Sequence, residues 1–528
     1  MDLPEGFNWF LILISVVVVI LVFLACVYII VEYQHPEDKN QAWFPKIVVV
    51  LGLSLAIISV LMFPLDVANK AACSANLSPT ACSYTLPMYT IWMAVFIANL
   101  VLVYAFIPFT LFLYEADSEF TFFQKIKSAV GYTLAMMVFI GMVIGIAYGL
   151  AGYVQYPTQQ LTSGVLPFSA VNDRGGNFSG LNMTNFQCIP KAYLRNAMPT
   201  KDEQLCDANQ PNFIIVTWRL RVSLAVYIMA IQSLIGWLLF LLFAGVGVLA
   251  APIDWIQQFL NRPTSVITKS EYIRRARLIA QRSKAVVNMT QVMRRQERNR
   301  KWRSNLKALE REVNQLEEDE YQLERVFPQG EDGDVRWVLF MLSFWVTGFM
   351  GVAGICISLA WLVHIAVYLL PSYPLHPMLN DLFVVLDGAF SLLGVAAFSA
   401  FCLYLMVVAM KGNFIMGLDF VFIKLYPMRP GKTLMSAFLV NTGIILTMAP
   451  AIIQFCSSAF AVYGSNTDIF DVFGNQVMYL QGISWIYQFN IFLYAFYAVV
   501  FISLVMTVFK GRKKWERQRD KYAAYSDL

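Results

Sequence analysis

The chain has 528 residues, of which 58% are hydrophobic and only 14% charged, with a mean hydropathy of +0.58. That surplus of apolar side chains excludes an ordinary water-soluble domain and requires lipid as solvent. The formal net charge of +5 is small and sits in a few basic loops, so it argues for orientation in a membrane and against a nucleic-acid partner.

Unpaired backbone groups are not tolerated in hydrocarbon, so apolar runs of about 20 residues are predicted as helices. A closed barrel would show alternating segments of about ten residues, and none is seen. The first run, 8–31, has neither the basic start nor the small-residue cleavage site of a signal peptide and is read as a retained first span. Further spans are predicted at 45–66, 87–114, 128–152, 213–250, 336–370, 381–410, 433–463 and 484–509. Several exceed what a bilayer needs, and 336–370 leaves room for a break near Gly351 and Gly354.

The expected fold is all-α: a polytopic helical membrane protein of nine spans with a cytoplasmic coiled-coil insert. Its regions are an N-terminal membrane part (1–250), a basic coiled-coil segment (251–335), a C-terminal membrane part (336–509) and a basic tail (510–528).

Lysine and arginine set the orientation. Lys510, Arg512, Lys513, Lys514, Arg517 and Arg519 in the tail, and Lys411, Lys424, Arg429 and Lys432 in the loop 411–432, fall on one face with the insert, and that face is cytoplasmic. Met1 to Gly6 carries no basic residue and fits the outside, although the loop 32–44, where Glu32, Glu37 and Asp38 outnumber Lys39, runs against the pattern. The exoplasmic face receives the loops 67–86 and 153–212, with Cys73, Cys82, Cys188 and Cys206. Two disulfides are expected there, and local pairs are the simplest of three connectivities. Sequons at Asn76, Asn177 and Asn182 lie in the same loops, whereas the one at Asn288 falls on the cytoplasmic side and is set aside.

Between the fifth and sixth spans, 263–327 contains no glycine and has proline only at its edges, Pro263 and Pro328, which predicts a long helical region. Thr268 with Glu271 makes a capping-box start. One apolar stripe runs Tyr272, Ala276, Ile279, Val286, Met293; a second runs Trp302, Leu306, Leu309, Val313, Leu316, Leu323, with Glu320 interrupting it. A bend over Arg294 to Lys301 would fold the two stripes onto each other as an antiparallel hairpin; one long helix is the alternative. Arg274, Arg275, Arg277, Arg282 and Lys284 make the first half basic, and Glu317, Glu318, Asp319 and Glu320 make the far end acidic. That suits contact with anionic lipid or a cytoplasmic partner; a solvated linker helix is the plainer alternative.

No catalytic constellation is found. The three histidines, His35, His364 and His376, are scattered, no metal-ligand spacing occurs, and Gly431-Lys432 lacks the preceding glycine of a phosphate loop. Neither an enzyme activity nor a cofactor is expected. Cys26, Cys356, Cys402 and Cys456 lie in apolar spans as small core residues. Intramembrane charge is more telling, because ionised groups in hydrocarbon are costly unless they face an interior or water. Asp66, Asp387 and Asp419 are the candidates: Asp66 and Asp419 near span ends, where they cap helices or meet headgroups, and Asp387 deeper, lining a cavity or pairing with a polar neighbour. The terminal Tyr525-Ser526-Asp527-Leu528 has the form that sorting adaptors read as an extended strand, with Tyr525 and Leu528 as its anchors.

The stretches Glu32-Tyr33-Gln34-His35-Pro36, Ala42-Trp43-Phe44-Pro45-Lys46 and Pro64-Leu65-Asp66-Val67-Ala68-Asn69 resemble the opening of the plant-type branch of the LIMR family, the lipocalin-interacting-membrane-receptor and limb-region-like proteins. The likeness continues through Phe112-Leu113-Tyr114-Glu115, Lys125-Ile126-Lys127-Ser128-Ala129, Lys301-Trp302-Arg303, Leu316-Glu317-Glu318-Asp319 and Pro328-Gln329-Gly330-Glu331, and so covers nearly the whole chain. The resemblance implies nine spans, a large cytoplasmic coil and a cytoplasmic C-terminus. Animal members are regarded as endocytic receptors for lipocalins, signalling modulators, or lysosomal partners in cobalamin export, and no catalytic motif is carried over. The expected role is a receptor-like or trafficking-linked glycoprotein of the plasma membrane or the endosomal, lysosomal or vacuolar membrane. Its partners would be membrane lipid, an exoplasmic protein or small-molecule ligand, and cytoplasmic proteins met through the coil. The alternative is a transporter or lipid-handling protein with an intramembrane polar cavity.

Overall fold

The computed structural model of the chain describes residues 9–39, 42–75, 86–116, 119, 121–161, 188–189, 204–205, 213–262, 269–294, 300–327, 333–371, 373–390, 392–415, 428, 431, 433–465 and 467–507. Asp419, the sequons at Asn76, Asn177 and Asn182, Cys82, Cys206, Tyr525 and Leu528 lie outside these residues. The chain divides into two compact units, Met1–Ala250 with Ile357–Leu528, and Ala251–Cys356.

Among the described residues eight helices are long and apolar enough to cross a bilayer. In chain order they are α1 (Trp9–Tyr33), α2 (Trp43–Ala75), α3 (Met88–Tyr114), α4 (Phe122–Ala151), α5 (Leu224–Leu260), α8 (Gly333–His364), α10 (Leu393–Ile415) and α11 (Met435–Ala459). Lesser helices are α6 (Lys269–Arg294), α7 (Arg300–Val326), α9 (Met378–Ala389), α12 (Ser484–Gln488) and α13 (Ile491–Thr507).

Three expected spans are redrawn. The run 213–250 opens as strand, because Phe213–Arg221 pairs antiparallel with Tyr153–Leu161 and the helix begins only at Leu224. The run 381–410 is two helices, α9 and α10, with Leu392 between them at φ 80. The run 484–509 is likewise split, at Asn490 with φ 53, into α12 and the 17-residue α13. Conversely α8 runs unbroken through Gly351 and Gly354 and is prolonged by a π-helical turn, Ile365–Leu369. Absence of a side chain at Gly351 serves packing instead: a Cβ there would stand 2.6 Å from Ile256 Cγ1. Cys73, expected in a loop, lies in the last turns of α2, while Cys188 opens a two-residue parallel pairing in which it faces Gln204.

Burial sorts the spans of the larger unit. α2, α10 and α11 carry long runs of buried side chains, whereas α4 presents Phe139, Met142, Val143 and Ile146 outward and has none of its most apolar window buried. Lipid is as apolar as leucine, so close helix contact in a membrane depends on small residues that admit a neighbouring backbone. A Cβ on Gly236 would stand 2.3 Å from Thr447 O of α11, one on Gly247 2.1 Å from Val408 O of α10, and one on Gly412 1.9 Å from Phe243 O of α5. On α2, a Cβ at Gly52 would stand 2.5 Å from the Thr442 side-chain methyl of α11. Cys26, Cys402 and Cys456 are buried as expected of small core residues; Cys356 is exposed.

At one end of this unit Asp38 gathers three segments. Its Oδ1 accepts from Tyr114 Oη at the close of α3 (3.0 Å), and its Oδ2 accepts the first amide of α11, Met435 N (3.1 Å). Beside it Gln34 and Thr433 form a parallel bridge. At the other end the strand pair 153–161/213–221 is laid against the segment 468–481, through Gln481 N to Tyr153 O (2.8 Å) and Tyr156 Oη to Asn475 O (2.8 Å).

In the second unit α6 and α7 pair antiparallel. Tyr272 stacks on Phe327 at 4.7 Å, Arg282 bridges Glu312 (2.5 Å) and Asp319 (3.0 Å), and Trp302 Nε1 donates to Met293 O at 3.1 Å. The predicted stripes supply buried Met293, Leu316 and Leu323, but Val313, placed in the stripe by spacing, is turned outward. Glu271 is engaged by Arg275 and Arg274, which hold its carboxyl below the usual carboxylate range. Glu312, followed by Asp319, raises the Arg282 guanidinium, with burial opposing.

The glycine contacts make a paired prediction. Gly412→Ala forces its methyl into the Phe243 carbonyl and should destabilise the protein by about 1–3 kcal/mol as an overpacking change. Gly145→Ala on α4, whose Cβ would meet nothing within 4 Å, should leave the melting temperature of the detergent-purified protein unchanged or raised. Equal loss in both would refute the assignment of α4 to the lipid-facing side.

Candidate functional site

The intramembrane polar side chains of the larger unit include a pair at Ser358 and Tyr404 and three larger groups, and at Ser358 and Asn99 the position follows from proline chemistry. Proline lacks an N–H and releases the carbonyl four residues earlier, which in hydrocarbon needs another donor. Pro450 in α11 releases Leu446 O, and Asn99 Nδ2 of α3 donates to it at 3.2 Å. Pro252 in α5 releases Val248 O, and Ser358 Oγ donates to it at 2.9 Å while lying 2.5 Å from Tyr404 Oη.

From Asn99 the first group spreads inward. Gln232 Nε2 donates to Asn99 Oδ1 (3.2 Å), and the adjacent Ser233 Oγ donates to Gln454 Oε1 (2.6 Å). Gln454 Oε1 also receives Trp237 Nε1 (3.1 Å) and Tyr487 Oη (3.3 Å). An indole N–H only donates, so it fixes which end of the Gln454 amide is oxygen. Around this oxygen stand aromatic rings, with Trp237 stacked on Phe492 at 5.0 Å and edge-on to Phe455.

The second group surrounds the break between α9 and α10. Asp387 Oδ1 accepts Gly394 N, in the first turn of α10 (2.8 Å), and Oδ2 accepts Tyr463 Oη (2.5 Å). This is an N-terminal cap, the favourable place for a carboxylate. Gly394 permits it: a Cβ there would collide with Phe383 O at 2.2 Å. Asn380 binds Tyr463 N (3.0 Å) and Ala459 O (3.2 Å), and His364 Nε2 reaches the same Ala459 O at 2.9 Å, its ring held between Tyr368 and Phe460. Both oxygens of Asp387 are thus engaged, by Gly394 N and Tyr463 Oη.

The third group centres on Asp66. Rather than meeting headgroups it is fully buried, with Oδ2 accepting Trp92 Nε1 (2.9 Å) and Ile469 N (3.3 Å). Its Oδ1 has no hydrogen-bond partner among the described residues. Lys70, one turn on, pairs with Asp468 at 3.2 Å.

Inspection of charge alone missed Asn99, Gln232, Ser233 and Gln454. They carry no charge and stand singly in apolar runs; the usable signal is Pro450, which demands a donor for Leu446 O. Among the described residues no three histidine, cysteine or acidic side chains gather as metal ligands.

The family model for LMBR1-like membrane proteins matches residues 11–293 and 277–505, together nearly all of the chain. The chain belongs to the LIMR family of LMBR1-like membrane proteins. It is similar to a LIMR family protein of Arabidopsis thaliana, 38% identical over 517 residues, 97% of this chain and 98% of that protein. A LIMR family protein of rice, Oryza sativa subsp. japonica, is 39% identical over 512 residues, 96% and 97% of the two chains. One from Dictyostelium discoideum is 31% identical over 532 residues, 97% and 99%. No solved structure matches. The LIMR assignment agrees with a polytopic helical membrane protein.

Gln454→Leu leaves the donors of Ser233, Trp237 and Tyr487 without their acceptor. At about 1–3 kcal/mol for each buried group left unsatisfied, the variant should fall well below wild type in thermal stability. Tyr487→Phe removes a single 3.3 Å bond and should cost about 1 kcal/mol or less. Comparable losses would show that the network does not converge on Gln454.

Proposed function

We propose that this LIMR protein is a receptor-like, non-catalytic membrane component that takes a ligand on its exoplasmic side and meets cytosolic partners through the α6/α7 hairpin. The observation that carries the reading is the strand pair 153–161/213–221, nine residues on each side and about 30 Å long. It rises from the ends of α4 and α5 and carries the segment 162–212, with Asn177, Asn182, Cys188 and Cys206. Binding residues gather on loops carried by rigid scaffolds, and glycosylation and disulfides suit an outward-facing one. In this reading the N-terminus is exoplasmic and the basic tail cytosolic, where Tyr525 and Leu528 offer a sorting strand to an adaptor. The membrane is the plasma membrane or an endosomal, lysosomal or vacuolar one. Asn76, Asn177 and Asn182 carry glycans, and Cys73, Cys82, Cys188 and Cys206 form two exoplasmic disulfides.

A second reading, transport or lipid handling, is favoured by one observation: the span expected over 381–410 is broken beside a carboxylate, Asp387, at a half-helix N-terminus. Discontinuous spans of that kind hold substrates and coupling ions in transporters. Flux through liposomes holding wild type and Asp387→Asn separates the two readings. Background flux for wild type supports the receptor.

Tyr525→Ala should raise surface abundance and slow uptake of surface-labelled protein severalfold, and unchanged uptake would remove the sorting role. Asn177→Gln with Asn182→Gln should abolish most of the mobility shift produced by glycosidase. A glycan found on Asn288, which is exposed on α6, would overturn the threading.

A further inference from the structure

We infer that Asp66 is the anionic ligand of a monovalent-cation site at the junction of α2, α3 and the segment beginning at Asp468. This inference does not depend on the receptor reading. Oδ2 is held by two donors from two different elements, Trp92 Nε1 at 2.9 Å and Ile469 N at 3.3 Å, so the group is fixed in orientation. Oδ1 is buried, and the described residues offer it no donor. An ionised Asp66 therefore leaves charge on an oxygen without compensation, which in a low-dielectric interior costs several kcal/mol. A proton at Oδ1 would remove the charge but leave an O–H with no acceptor among the same residues. A small cation satisfies the oxygen in its charged form and leaves both existing hydrogen bonds in place.

Charge balance selects the valence. Asp66 and Asp468 contribute two negative charges and Lys70 one positive, so the junction is left with a single negative charge. The described residues contain no cluster of three acidic, histidine or cysteine side chains of the kind that holds a divalent ion. A single fixed carboxylate oxygen suits a singly charged ion such as sodium. The wall around the site is aromatic: Trp92 stacks on Phe96 at 5.6 Å, and Phe96 meets Phe473 edge-on at 5.9 Å. That wall excludes bulk water and makes a single fixed charge effective. By binding the carboxylate, sodium would fasten the C-terminal part of α2 to α3 and to the segment 468–476.

The test uses the full chain in nanodiscs, with thermal unfolding followed in choline chloride as sodium, potassium or lithium replaces choline at constant ionic strength and pH. A saturable rise in melting temperature with sodium, absent with choline, is expected, together with binding of about one radioactive sodium ion per chain. Asp66→Asn keeps an acceptor for Trp92 and Ile469 and should lose the sodium response. Lys70→Ala removes the neighbouring positive charge and should tighten sodium binding severalfold, an outcome that general damage to the fold would not produce. A melting temperature equal in sodium and choline, or a sodium response that survives in Asp66→Asn, overturns the site. A stability in choline that varies with pH and is indifferent to sodium would make the occupant a proton and overturn it equally.

Discussion

One constraint organises the polar contacts around Asn99 and Ser358: inside hydrocarbon a backbone carbonyl must have a donor. A helix meets it internally until proline interrupts the ladder, and then the donor has to come from elsewhere. Pro450 and Pro252 each open such a demand, and each is met from another helix, by Asn99 for Leu446 O and by Ser358 for Val248 O. The cross-helix polar contacts grow outward from these points. Asn99 turns its oxygen to Gln232, the neighbour of Gln232 turns to Gln454, and Gln454 collects Trp237 and Tyr487.

Glycine supplies the complementary device. Without a hydrophobic drive between helices, association rests on close contact and directed hydrogen bonds. Gly236, Gly247 and Gly412 bring α5 within backbone distance of α11 and α10, and Gly52 brings α2 to α11. Those approaches carry the polar side chains into range. α4, whose glycines at 131, 141, 145 and 149 meet nothing, keeps its large apolar side chains toward lipid.

How much of this was legible beforehand depends on the scale of the signal. A run such as 8–31 or 45–66 is read from hydropathy alone because its length matches the bilayer, and the helices α1 and α2 stand there. Hydropathy does not distinguish strand from helix in an apolar run, so Phe213-Ile214-Ile215-Val216 was absorbed into the fifth span, although its β-branched residues suit the ladder that it forms. Breaks were harder still. Leu392 and Asn490 adopt positive φ with no glycine or proline at the position itself, and Gly351, a natural suspect for a break, is there for Ile256. The two stripes allow either a hairpin or one long helix, and the pairing of Tyr272 with Phe327 and of Arg282 with Glu312 and Asp319 decides for the hairpin. Val313, which shares the spacing, is exposed in the fold. For the candidate sites, charge pointed to Asp66 and Asp387. Neither the cap at Gly394 nor the orphaned Oδ1 of Asp66 can be read without the fold.

The same contacts determine where the larger unit can yield. Asp38 binds the ends of α3 and α11 to the turn before α2, and Asp66 binds the other end of α2 to α3 and Ile469. With Asn99 and Gly52 between them, α2, α3 and α11 are tied at both ends and in the middle, and move only as one block. The paired helices α9 with α10 and α12 with α13 are different. Each pair is joined through a residue in the left-handed region, which an ordinary side chain adopts at a cost of order 1–3 kcal/mol when the surroundings hold it there. At the first joint the holding contacts are Asp387 to Gly394 N and to Tyr463, and at the second Asn490 Nδ2 to Leu369 O at 3.1 Å. A rearrangement that frees either joint recovers the strain stored at it, whereas one that parts α2 from α11 must break polar contacts in hydrocarbon. The contacts of Asp387 with Gly394 N and Tyr463 therefore fix the joint between α9 and α10, and that of Asn490 with Leu369 O fixes the joint between α12 and α13.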